Sequence, residues 1–364
     1  MFFAVQVLLP GDFVSHMVPV SFLSPREVEE LRQQLGLDLP IGLRYLNWLS
    51  RLLRGDLGNS YSGVPVIEIL KSAFLSTLFV FGIGTVLAFI IGQWLGKVTA
   101  WRRSTPFSSL ATFTTILLYT SFPPWLAFLL MFFFVDKLGF LSTTIARSNW
   151  TPRLTGDSYI LAIMIVGLVN VALALGILNI VLQWLWRRGL PAGIFLFLLL
   201  FGWVGTWYVF GFFSEAVEIL QKAALSIVTY TLLTFGETML ITRTAMVDAL
   251  HEDHVQTARA KGLSDRAVRD RHVARNAMLP VVSRLVVSIP LLMTGAAMIE
   301  QTLNWAGVGW VLFYAVGRQD IPLIMGSVLV IGVLSLAARL TLDVLHVLID
   351  PRVRSGGQVS RRYL

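Results

Sequence analysis

The sequence has no cysteine among its 364 residues. That removes a disulfide framework and any thiolate metal centre. Charge is scarce as well: Asp, Glu, Lys and Arg make up 14% of the chain, where a soluble domain ordinarily carries about 25%. No Gly-x-x-x-x-Gly-Lys-Ser/Thr run occurs, so the chain cannot cradle ATP in a phosphate-binding loop. No Gly-x-Ser-x-Gly elbow and no evident Ser/His/Asp arrangement supports hydrolysis. These gaps argue against an enzyme and imply no cofactor.

What is present is apolar. Hydrophobic residues form 55% of the chain, and they recur in runs of about 18 or more, enough to cross a bilayer core as a helix. Full spans are predicted near 72–96, 107–134, 159–184, 191–213, 224–242, 280–300 and 323–347, each apolar on most faces. The expected fold class is all-α, a polytopic transmembrane helical bundle. Residues 1–9 are apolar but too short to span, with neither a basic n-region nor a small-residue cleavage site. They read as a remnant of a first helix, either begun upstream of this sequence or genuinely reduced.

The net charge of +8 need not mean nucleic acid. Placing 97–106, 185–190, 243–279 and the tail after 348 in the cytoplasm gives those segments 16 Lys and Arg against 10 for the opposite loops. This satisfies the positive-inside rule and alternates through all seven spans. The longest opposite loop, 10–70, carries two helix signals. Ser24 followed by Pro25 and Glu27 caps a predicted helix ending at Gly36. A second amphipathic stretch, Ile41 to Leu53, would lie flat on the outer membrane surface or pack on the bundle.

Residues 248–280 form the most informative polar segment. The pattern is helix, break, helix: the span from about 224 continues outward and stops at Gly262, a good residue just past a helix end. Ser264 then caps a helix reaching about Met278, with Asp265 in its first turn. Seven basic and five acidic residues lie between 243 and 275, a surface suited to solvent or to a soluble partner.

The run Gln256-Thr257-Ala258-Arg259-Ala260-Lys261-Gly262-Leu263-Ser264, followed by Arg271-His272-Val273-Ala274-Arg275-Asn276-Ala277-Met278-Leu279-Pro280, resembles the "EAA" loop of ABC importer permeases. It is most similar to the oligopeptide, dipeptide and nickel branch. Further resemblances fall in order: Leu9-Pro10-Gly11-Asp12, Arg54-Gly55-Asp56-Leu57-Gly58, Glu300 to Gly309, and Asp350-Pro351-Arg352. The resemblance implies a type I importer permease fold in which a short coupling helix sits in a groove of an ATPase subunit. Thr257, Ala258, Arg259, Ala260, Lys261, Gly262, Leu263 and Ser264 would make that contact, Gly262 permitting the turn and Ala258 and Ala260 the close approach. The implied partners are a second homologous permease, two ABC ATPase subunits and an extracytoplasmic substrate-binding protein. The domains then read 1–9, an extracytoplasmic loop 10–70, a permease domain 71–354 and a cytoplasmic tail 355–364.

Against the typical family member, 159–213 reads as an inserted helical hairpin almost free of ionisable residues, and therefore peripheral. The insert and short start leave a second reading open, a permease-derived structural or accessory subunit without transport activity. Other constellations weigh less. His251 and His254 lack the spacing of a zinc hydrolase motif. Glu300, Arg339 and Asp343 are ionisable residues in or near spans, so either pathway residues or locally paired ones; Arg339 and Asp343 are four apart on one helix. Gly92 and Gly96 make a face for close helix contact.

Overall fold

The computed structural model describes residues 26, 39–139, 157–186, 189–250, 252–274, 281 and 296–349. The segments read above as residues 1–9, the Ser24 helix, Met278 and Pro280 and the tail 355–364 lie outside them. Eleven helices are labelled here, and no strand occurs among the described residues beyond one antiparallel bridge between Asn59 and Pro65. They are α1 (Ile41–Leu53), α2 (Val66–Trp101), α3 (Pro106–Tyr119), α4 (Pro123–Met131), α5 (Asp157–Trp186), α6 (Ala192–Val209), α7 (Phe213–Ala249), α8 (Asp253–Ala260), α9 (Asp265–Ala267), α10 (Val308–Gly317) and α11 (Ile321–Ile349). Residues 296–302 are also helical.

Helices α2, α5 and α7 are long and apolar enough to cross a membrane. Three predicted spans differ in detail. The run 107–134 is bent by 106° between α3 and the helix that follows. Pro123 and Pro124 stand at the break; neither has an N–H to continue the ladder. At the end of α3 the Thr120 and Ser121 hydroxyls fold back on the helix, donating to Ile116 O at 2.8 Å and Leu117 O at 2.6 Å. The span predicted at 191–213 is the shorter α6, ended by Gly211 at φ +75°, where Phe212 N–H donates to Trp207 O at 3.1 Å. Helix α7 starts directly at Phe213, so the predicted loop 214–223 is its first turns, supported by a Lys222–Glu218 pair at 2.7 Å.

The contacts divide the chain into two compact units. The first draws on Met1–Phe79, Leu138–Ala224 and Asn304–Ser327. Its centre is aromatic. The buried Trp203 donates its indole N–H to Met164 O at 2.8 Å and meets Trp207 edge-on at 4.9 Å. Trp305, also buried, donates to Ser76 O at 3.1 Å, and Val308 N–H donates to the Thr77 hydroxyl at 2.8 Å. Both hairpin helices, α5 and α6, contribute to this core through Leu161, Met164, Trp203 and Trp207. Even so, only 17% of the spanning window of α5 is buried, against 61% for α7. The hairpin therefore inserts one edge into its unit and leaves the rest apolar and exposed.

The second unit draws on Val80–Lys137, Leu225–Leu303 and Val328–Leu364. Here α2 and α7 cross closely. A Cβ on Gly92 would stand 2.6 Å from Phe235 O, and one on Gly96 2.8 Å from Met239 O. The Gly92/Gly96 face predicted from sequence is this contact, and Ala88, Phe235 and Met239 form the buried cluster beside it. Arg243 Nη1 donates to the Thr112 hydroxyl at 2.9 Å, joining α7 to α3.

Candidate functional site

The 248–280 segment begins with an unforeseen break. Sequence reading carried the preceding helix unbroken to Gly262, but α7 ends at Ala249 and α8 starts at Asp253. Glu252 between them is extended, at φ −76° and ψ 146°. With no Gly or Pro in Ala249-Leu250-His251-Glu252, composition did not mark this break; His251 itself lies outside the described residues.

The break lets α8 turn one face inward. Val255 and Ala258, three residues apart, join a buried cluster with Ala100 of α2, Met246 and Ala249 of α7, and Val268, Val273 and Ala274 beyond α9. Trp101 packs against the same cluster. Ala258, expected to allow close approach, is 4% exposed and faces this cluster.

The other face stays in the open. Thr257, Arg259, Ala260, Lys261, Gly262, Leu263 and Ser264 are all exposed. The Arg259 guanidinium lies 5.8 Å from the Trp101 ring centroid. Gly262 has φ +73°, a left-handed backbone that strains any residue with a Cβ. Its N–H donates to Arg259 O at 2.9 Å and Leu263 N–H to Ala258 O at 3.4 Å, closing the helix end as expected. The Ser264 hydroxyl then accepts from Ala267 N–H at 3.4 Å, the predicted cap. Downstream the helix widens into a π-type turn over Val268–Val273. In it, Asp270 accepts two hydrogen bonds from Arg269, at 2.8 and 2.9 Å, and these hold that guanidinium's pKa above its ordinary value.

The remaining predicted residues lie elsewhere. Glu300 is 3% exposed in the helical stretch 296–302. Arg339 is exposed on α11, and Asp343 lies on the same helix with its side chain outside the described set, so the structure does not bring them together as a described pair.

Sequence reasoning missed a second constellation, in the first unit. Asp320 is buried and accepts from the Ser60 hydroxyl, from Tyr61 N–H at 3.0 Å and from Leu323 N–H at 3.2 Å, where it also caps α11. Ile321 N–H reaches the Tyr61 phenol oxygen at 3.5 Å. Burial pushes the Tyr61 phenol above its ordinary pKa, and the Asp320 carboxylate adds to that. Beside this knot is a cavity of about 510 Å³ lined by Ser62, Trp310, Tyr314 and Arg318, among others. The run Arg54 to Gly58, quoted above only as a resemblance, ends two residues before Ser60, but nothing in it points to Asp320.

The two places differ in build. The first is a charged, exposed helix end on a packed base; the second is a carboxylate tie between distant parts of the chain. Residues 84–355, well over half of the chain, match the family described as binding-protein-dependent transport system inner membrane component. The Escherichia coli K12 dipeptide transport system permease protein DppB is 28% identical over 353 residues, covering 97% of this chain and 92% of the relative. The glutathione transport system permease protein GsiC of Salmonella choleraesuis is 28% identical over 350 residues, covering 95% and 90%. A Brucella ovis protein named as a peptide permease is 28% identical over 357 residues, covering 97% and 92%. The chain therefore belongs to the family of binding-protein-dependent transport inner membrane components, and is a multi-pass permease subunit of an ABC importer.

Proposed function

We propose that this permease moves peptide-like solutes into the cell by alternating access, driven by two ATPase subunits that dock on the exposed face of α8 and the Gly262 turn. The observation that carries the reading is the two-sidedness of α8. Val255 and Ala258 bind it to the rest of the unit, while Thr257, Arg259, Ala260, Lys261, Leu263 and Ser264 remain outside. A lever needs both a fixed root and a free handle. The chain has no phosphate-binding loop of its own, so ATP hydrolysis belongs to the partners. A second, homologous permease completes the pathway, and an extracytoplasmic binding protein delivers the solute. The orientation that puts 243–279 in the cytoplasm rests on the excess of Lys and Arg there. The peptide class rests on the names of the relatives, DppB and GsiC.

Co-purification tests the reading. A tagged chain extracted from membranes is expected to retain an ATPase subunit, and Gly262→Arg is expected to lose both that subunit and uptake of labelled dipeptide. An extract with no ATPase, together with full uptake by Gly262→Arg, would remove the coupling assignment.

A further inference from the structure

We infer that Trp101 is the positioning residue that fixes α8 to the end of α2, so that the two move as one body when α8 is pushed. The inference deepens the coupling reading and rests on it.

Helix α8 has eight residues, too few to hold its own direction in water. Its backbone link to α7 cannot set that direction either, because the helix stops at Ala249 and the chain is extended at Glu252. Side-chain packing is what remains. The inward face of α8, Val255 and Ala258, is small and offers little area. Trp101, far away in sequence, is the aromatic ring packed against that buried cluster. It also stands 5.8 Å from the Arg259 guanidinium on the neighbouring position. The indole thus meets α8 from two directions, through the apolar cluster beneath and the cation above. Tryptophan gives the widest apolar surface and the strongest cation–π face of any side chain. No substrate contact is assigned to Trp101; it acts through α8.

The absence of cysteine makes a direct test clean. Arg103→Cys and Gln256→Cys, both at exposed positions, carry spin labels in the transporter assembled with its partner subunits. The distance between them is measured without nucleotide and with ATP trapped by vanadate. One narrow distribution, unchanged between the two conditions, is expected. A distance that shifts with nucleotide in the otherwise unsubstituted chain overturns the inference. Trp101→Ala in the same background is expected to broaden the distribution and to lower dipeptide uptake per ATP hydrolysed several-fold. Trp101→Phe is expected to restore most of both. If Trp101→Ala does not accumulate, Trp101→Leu is measured in its place. A distribution as narrow as the parent's in that variant, with the same uptake per ATP, also overturns it. Failure of the coupling reading is separate: it appears as ATPase retained by Gly262→Arg, whatever the distance does.

Discussion

At the scale of single residues, two helix ends show how side-chain type and backbone demand agree or conflict. After α8 the left-handed position is held by Gly262, φ +73°; after α10 it is held by Gln319, φ +54°. Both close the same way, with Gln319 N–H donating to Val316 O and Asp320 N–H to Ala315 O at 2.9 Å. A Cβ in this region costs about 1–2 kcal/mol. Gly262→Ala is therefore expected to destabilise by about 1 kcal/mol, and Gln319→Gly to stabilise by a similar amount, both read as melting shifts of the solubilised protein. Asp320 supplies the third residue-scale prediction. Asp320→Ala strands the Ser60 hydroxyl and the Tyr61 and Leu323 amides in a buried place, at about 1–3 kcal/mol for a lost set of partners; Asp320→Asn, which keeps an acceptor, costs less. Gly262 was legible because glycine after a helical run has one common meaning. Gln319 was not, because nothing in a glutamine announces a left-handed backbone. Asp320 was not, because Ser60 and Tyr61 lie 260 and 259 positions away in sequence.

At the scale of elements, close crossing and breakage decide the architecture. The crossing of α2 and α7 at Gly92 and Gly96 leaves no room for a methyl group, since backbone carbonyls stand 2.6 and 2.8 Å from where each Cβ would lie. Gly92→Ala is expected to force the helices apart and cost about 1–3 kcal/mol, measurable as a fall in melting temperature. This element was readable from four-residue spacing alone. The bend at Pro123 was signalled by residue type, but apolarity on both sides made one span look continuous. The break at 250–252 carried no signal. A local pattern cannot reveal it, because what favours it is the burial of Val255 and Ala258 against Ala100 and Val268, contacts of a folded chain. For the same reason Ala258 was read as part of the docking face. The phase of an eight-residue helix cannot be carried across an invisible break.

At the scale of the whole molecule, the chain combines apolar helices for the membrane with the charged, exposed end of α8. The family assignment fits the combination, since the chain is an inner membrane component of a transport system; under the proposal above, ATP chemistry is done by a partner and the permease receives force. The hairpin α5–α6, expected to be peripheral, is partly so. Its outward positions, such as Trp184 and Phe201, are exposed, whereas Trp203 and Trp207 are built into the core of the first unit. The central claim is that the exposed face around Gly262 is held by an ATPase subunit. With no native cysteine, a single Leu263→Cys carrying a photo-crosslinker reports directly on what touches that face in intact membranes. A covalent adduct with an ATP-binding subunit, weakened by Gly262→Arg, is the predicted result; adducts with lipid alone, or with no ATP-binding protein, would contradict it.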